Sequence, residues 1–353
     1  MLYEEKLTAL YFILTQTPVI ILSMKHLTTV YDEPLYSSRI LDFYFGGMNI
    51  GILDIETTGL NPSRNKFILG GLYNCREKIV HQVFAENRAE EKTALQCYLD
   101  EICKTDIVIT YNGKHFDMPF IYKRMQAHSI MVNKAMPYNL DLYLVLNGHS
   151  PIKKFVPNLK QKTVENYMGL WQSRSDEISG AESVELYNRF EKTHEPELEN
   201  KILLHNSDDV RQLTRLLKVT CKCDFHKAMY HLGFPAGSLV VGKIATERSL
   251  LLISGVQRNE PFDYIGFSFN DQPVEIHFNS IARTFSIKVP VIRQSGLGIV
   301  DLEALGLDTD QFEIYPTYSS GFLVIEQNSQ KNCMEINHFI KAFIKLFFER
   351  KDK

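Results

Sequence analysis

Ile50-Gly51-Ile52-Leu53-Asp54-Ile55-Glu56-Thr57-Thr58-Gly59 is the stretch on which the fold turns. Residues 50–55 are apolar and largely β-branched, the composition of a buried strand. Asp54 and Glu56 stand two apart at its end. Side chains on a strand alternate faces, so both carboxylates point one way and Ile55 points into the core. Two acids on one face repel each other unless a cation or solvent relieves them. A polar strand end is the plainer reading of this stretch by itself. Thr57-Thr58-Gly59 then turns the chain, and Gly59 lets the backbone approach a ligand closely.

Working outward, residues 67–74 and 78–85 read as two more strands, joined by Cys75-Arg76-Glu77 into an antiparallel meander. Leu95, Tyr98, Leu99 and Ile102 recur at three- and four-residue spacing, which predicts a helix over 90–104. A strand over 107–111, a helix over 116–128 and a strand over 140–146 follow. Helices are expected over 159–168, 181–191 and 197–218. This is an α/β pattern, a mixed five-stranded sheet with flanking helices. Beyond about residue 223 the character changes. Strands are predicted over 238–241, 249–256, 264–269, 274–278, 283–291 and 322–326, and an apolar helix over 336–349. The expected organisation is an N-terminal segment 1–45 with no assigned role, an α/β domain over 46–222, and a mainly β domain over 223–353.

Two further clusters follow the first. In Asn112-Gly113-Lys114-His115-Phe116-Asp117, Asp117 opens a helix, where an acid already favours the helix N-terminus electrostatically. Asn112 sits at the exit of the preceding strand, within reach of a substrate sugar or base. In His205-Asn206-Ser207-Asp208-Asp209, His205 and Asp209 are four apart on a helix and share a face. Ile202, Leu203, Val210, Leu213, Leu216 and Leu217 define its buried stripe. At about 100° per residue, His205 and Asp209 fall on the flank of that stripe, and Asp208 is expected on the solvated side. Each cluster alone has a structural explanation. Together they put four carboxylates and an imidazole around one point, where two divalent cations can cut a phosphodiester bond.

Composition permits this. The 353 residues are 44% hydrophobic and 23% charged, with a formal net charge of −3, as in ordinary soluble globular proteins. That balance argues against extended duplex wrapping, but metal ions at a nuclease site supply positive charge where phosphate sits. Residues 7–22 are apolar, yet Gln16 and Pro18 break them and they are too short to span a bilayer. They follow Glu4 and Glu5 instead of a basic leader, so neither membrane insertion nor secretion is expected. Six cysteines form no framework and suit a reducing cytoplasm. Cys221, Cys223, His226 and His231 read as a helix end with ordinary thiols, since structural zinc takes two separated ligand pairs. Lys153, Lys154, Lys160 and Lys162 form either a solvated face or a track for a phosphate backbone.

The element order and the three motifs resemble the DEDD exonuclease superfamily, which has a ribonuclease-H-like fold. Asp54-x-Glu56-x-x-Gly59 resembles its first motif and Asn112-x-x-x-Phe116-Asp117 its second. The third motif with four-residue spacing is usually Tyr-x-x-x-Asp, and His205 stands in the tyrosine's place. Residues 174–182, Leu186-Tyr187 and His205-Asn206-x-x-Asp209-Val210 look like the YprB-type family, which tends to carry His-Asn-x-x-Asp. The resemblance covers about residues 48–220. It implies that Asp54, Glu56, Asp117 and Asp209 are ligands of two Mg²⁺ or Mn²⁺ ions, a hard-cation set. It further implies that His205 orients or deprotonates the attacking water, and that Thr57, Asn112 and Phe116 line the terminal nucleotide.

The expected activity is release of nucleotides from the 3′ end of single-stranded DNA or RNA. A catalytically silent nucleic-acid-binding module and a structure-selective endonuclease on the same fold are the alternatives. A glycosidase is a poor fit, because its two acids must flank a sugar bond from opposite sides.

Overall fold

The computed structural model describes residues 24–132, 134–170 and 178–351. The apolar stretch 7–22 and residues 174–177 of the family-like segment lie outside the described residues. The chain opens with β1 (Lys25–Val30) and α1 (Arg39–Phe45), followed by β2 (Ile50–Thr57), β3 (Phe67–Asn74) and β4 (Ile79–Phe84). Then come α2 (Glu91–Ile102), β5 (Ile107–Thr110), α3 (Asp117–Ala127), β6 (Tyr138–Asp141) and α4 (Leu142–His149). Three helices complete the α/β part: α5 (Gln161–Tyr167), α6 (Gly180–Thr193) and α7 (Pro196–Leu216).

The first sheet runs β1-β4-β3-β2-β5-β6, antiparallel from β1 to β2 and parallel across β2, β5 and β6. β3 is buried along its whole length, because α2 packs on one face of the sheet and α7 on the other. This is the ribonuclease-H-like mixed sheet with one strand added. The sixth strand, β1, comes from the segment 1–45 and pairs with β4. Its own composition hides it, since Lys25, His26, Thr28 and Thr29 give an exposed edge no apolar alternation. The strand expected over 140–146 is corrected: β6 stops at Asp141 and a helix begins at Leu142. The Asp141 carboxylate accepts from the Tyr143 and Leu144 N–H groups, and this N-cap ends the strand.

The rest of the chain begins with α8 (Phe225–Leu232). β7 (Phe234–Ala236), β8 (Leu239–Glu247), β9 (Leu250–Gln257), β10 (Tyr264–Gly266), β11 (Glu275–Asn279) and β12 (Thr284–Pro290) follow. They form an antiparallel sheet of order β10-β11-β12-β9-β8-β7. A smaller sheet contains β13 (Ile292–Gln294), β14 (Leu297–Asp301), β15 (Tyr318–Ser319), β16 (Phe322–Gln327) and β17 (Gln330–Lys331). The sequence reading missed the β13–β14 hairpin. Its turn, Ser295-Gly296, has positive φ at both positions, 50° and 79°, which suits a two-residue hairpin. The closing helix, α9 (Cys333–Lys351), packs on β16, β7 and α8. One hydrophobic core runs from Ile52, Ile107 and Leu140 through Phe225 and Met229 to Ile253, Phe278 and Phe343. No helix of the described residues is long and apolar enough to cross a membrane.

Candidate active site

Three elements supply the acids and the imidazole: the end of β2, the start of α3 and the middle of α7. β2 delivers Asp54 and Glu56 from a single face, α7 delivers His205 and Asp209 one turn apart, and Asp117 opens α3. His205 Nε2 lies 3.5 Å from Glu56 Oε1 and 3.6 Å from Asp209 Oδ2. One ligand atom from each of these residues fits within 4.8 Å of the others, a grouping able to hold a metal ion. Asp54, Glu56, Thr57, Phe116, His205 and Asp209 all line a cleft of about 810 Å³. Asp117 is buried and is not among the residues lining the cleft; its charge is felt by Asp54, and the charges of Asp141 and Glu56 act on its own carboxyl.

Burial and mutual charge set the protonation of the acids at this site. Burial, followed by the charges of Asp209, Asp117 and Glu56, pushes Asp54 well above the usual carboxylate range, against a hydrogen bond from Asn206. Burial also raises Asp117, to about 7, with Asp141 and Glu56 adding to it, although the backbone N–H groups of Asp117 and Ile55 pull the other way. Clustered acids of this kind are relieved by bound cations. All four offer hard oxygen donors, and His205 adds a nitrogen at the edge. The residues therefore fit a site for divalent metal ions.

Several supporting groups were not singled out from the sequence. Asn206 Nδ2 donates to Asp54 Oδ2 at 2.9 Å, and its own Oδ1 accepts from Gln82 Nε2 at 3.1 Å. From the other side of the sheet, the Tyr98 hydroxyl donates to the Gly71 and Asp54 carbonyls at 2.8 and 3.2 Å. Gly70 and Gly71 make room for both. A Cβ at Gly70 would meet the Tyr98 ring, and one at Gly71 would fall on the Asn206 amide oxygen. Paired glycines inside an apolar strand are the available sequence signal, since they mark a close approach. Asp141 is a further such group, because its carboxylate also accepts from the Asn112 and Lys114 N–H groups, both at 2.9 Å.

Asn112 stands outside the cleft lining, with φ of 66° and its side-chain oxygen 3.2 Å from His115 Nδ1. Thr57 lines the cleft with its hydroxyl donated to the Gly59 carbonyl at 2.9 Å. Lys160 and Lys162 of the basic run line the cleft, whereas Lys153 sits on the Asn147 carbonyl. The start of α6, which Ser179 and Glu182 hold in a capping box, also lines the cleft. Asp208 is a correction: expected in solvent, it is 3% exposed. The outer side of α7 is covered by the 161–170 segment, whose Gln161 and Leu170 bond to Asp209 and Gln212 respectively. A single buried stripe therefore does not describe this helix.

Residues 52–221 match the family model of the RNase_H superfamily. An uncharacterised protein of Methanocaldococcus jannaschii is 27% identical over 176 residues, which are 49% of this chain and 95% of that relative. The uncharacterised protein YprB of Bacillus subtilis is 27% identical over 199 residues, 55% of this chain but only 47% of YprB. Among solved structures, the family B DNA polymerase of the hyperthermophilic archaeon Pyrobaculum calidifontis overlaps 49% of this chain and 24% of its own, at a TM-score of 0.40 and 18% identity.

Proposed function

We propose that this chain, whose residues 52–221 form a ribonuclease-H-like domain of the YprB type, is a metal-dependent nuclease that removes nucleotides from the 3′ end of single-stranded DNA or RNA. The observation that carries the reading is that Asp54, Glu56, His205 and Asp209 line one cleft, with Asp117 buried within electrostatic reach of Asp54 and Glu56. The carboxylates would hold two Mg²⁺ or Mn²⁺ ions. When bound, such ions supply Lewis-acid activation and neutralise phosphate charge.

The chain's own residues do the rest. His205, 3% exposed, would orient the attacking water and take its proton, a role that suits an imidazole. Asn206 and Tyr98 hold Asp54 in one orientation. Thr57 and Phe116 flank the terminal nucleotide, with Asn112 at the outer end of the same turn. Lys160 and Lys162 receive the adjoining phosphates along the cleft wall. All six cysteines are free thiols, which supports a reducing, cytoplasmic setting.

The test is digestion of a 5′-labelled single-stranded DNA and its RNA counterpart with Mg²⁺, Mn²⁺ or EDTA. A metal-dependent ladder, absent for Asp209→Ala, is the expected result, and the better substrate identifies the preferred sugar. Metal binding with intact label in every lane would instead assign a silent binding module. Cleavage of an internally labelled branched substrate with blocked ends would assign an endonuclease.

A further inference from the structure

A second group of metal-ligating side chains stands at the β1 edge of the first sheet. His26 of β1, His81 of β4 and Glu101 of α2 bring one ligand atom each to within 4.8 Å of one another. None of them lines the carboxylate cleft. His26 Nε2 and His81 Nδ1 are 3.2 Å apart, and His81 Nδ1 and Glu101 Oε2 are 3.7 Å apart. Ligands at zinc distances in a tetrahedral site are separated by about 3.3 Å. Those two separations lie within about half an ångström of that spacing, and the His26–Glu101 separation lies within 4.8 Å.

The outer ring nitrogens strengthen the case. His81 Nε2 lies 3.1 Å from Glu77 Oε2, and His26 Nδ1 lies 3.6 Å from Cys97 Sγ. The Glu77 carboxylate is an acceptor for a proton on His81 Nε2, which leaves the His81 Nδ1 lone pair directed toward His26 and Glu101. A carboxylate behind a ligating histidine is the usual way a metal site sets the imidazole tautomer. His81 and Glu101 are 5% and 7% exposed, whereas His26 is exposed and leaves a path for an ion. Lys104 Nζ lies 2.6 Å from Glu101 Oε2 and is the cation that an incoming ion would displace. Its side chain is 47% exposed and free to swing into water.

We propose that His26, His81 and Glu101 bind one divalent transition-metal ion of the zinc class, tying edge strand β1 to β4 and α2. Two imidazoles and one carboxylate make a borderline set that suits zinc better than the hard cations of the cleft. With three protein ligands, the fourth position faces solvent.

The experiment uses the full chain, stripped with chelator and titrated with Co²⁺ as a spectroscopic stand-in, then with Zn²⁺ in competition. The expected result is one equivalent of Co²⁺ with the strong visible absorption of a four- or five-coordinate site, displaced by Zn²⁺. His26→Gln and Glu101→Gln should abolish that absorption, Glu77→Gln should weaken binding about 10- to 100-fold, and Asp209→Asn should leave it in place. Because His26 is exposed, His26→Gln should fold normally, which circular dichroism in EDTA verifies. Absorption that survives both ligand variants, disappears in Asp209→Asn, or never develops in the wild type would overturn the proposal. The last result would leave His26 and His81 as a hydrogen-bonded pair alone.

Discussion

At the residue scale, the cleft trades stability for charge. Asp117 carries a folded-state value of about 7 against an ordinary 3.8. A raised carboxyl contributes stability that is fully present below the unfolded value and is lost as pH rises through the folded one. In EDTA, Asp117→Asn should therefore match the wild type near pH 4 and gain on it steadily up to about pH 7. Above that the gain should level off, at about 4 kcal/mol at most. Differential scanning fluorimetry across pH measures this directly, and an advantage largest at low pH would contradict the sign. Adding Mg²⁺ or Mn²⁺ at pH 8 should stabilise the wild type more than the variant, because a ligand bound only by the native state raises its stability. The same substitution should remove cleavage. Site and stability then pull in opposite directions at one side chain.

At the scale of elements, what the sequence disclosed and what it hid follow from physics. The Asp54/Glu56 pair was legible because a strand alternates faces, and the His205/Asp209 pair because a helix brings i and i+4 together. The edge strand β1 was not, because its residues carry no apolar pattern and only pairing with β4 makes them a strand. Asp208 and Asn206 were misjudged or passed over because α7 is packed on two sides, by β2 and β3 and by the 161–170 segment. Gly71 shows how tightly that helix meets the sheet. Gly71→Ala should push the Asn206 amide off Asp54 and lower cleavage about 10- to 100-fold, the usual effect of disturbing a ligand's supporting partner. Glu91 tests α2 instead. Buried at 1%, it meets Arg124 Nε at 2.6 Å, and also binds His128 and the Phe67 N–H. Burial opposes its charge, yet Arg124 and His128 hold the carboxyl down at about 2. Its contribution is therefore present above about 4.5 and lost as pH falls toward 2. Glu91→Gln, which strands Arg124, should cost about 3–5 kcal/mol at neutral pH, with the deficit shrinking in acid. A chemical-denaturation series across pH would show it, and a deficit growing in acid would refute it.

At the scale of the whole molecule, the question is whether the ribonuclease-H-like region and the β-rich region melt together. Their cores are continuous, and three helices distant in sequence share a buried polar knot. The Tyr44 hydroxyl of α1 lies 2.7 Å from His226 Nδ1 of α8. Asn337 Nδ2 of α9 donates to that hydroxyl at 2.7 Å and to the His226 carbonyl at 2.9 Å. Nearby, the Tyr138 hydroxyl of β6 donates to the Gly233 carbonyl at 2.7 Å. Removing one partner from such a buried set costs about 1–3 kcal/mol, because the remaining groups lose their bonds without regaining water. Asn337→Ala should lower the melting point measured from either half by the same amount, although Asn337 lies far in sequence from the cleft. Calorimetry of the wild type should show one transition with equal calorimetric and van't Hoff enthalpies. A fragment ending at residue 222 would expose the apolar faces that Phe225, Met229 and Phe234 cover, and should aggregate instead of folding. Two separate transitions, with Asn337→Ala moving only the later one, would show that the β-rich region is an independent attachment to the nuclease-like domain. A single transition shifted as a whole would make it part of the structure that holds Asp54, Asp117 and Asp209 in place.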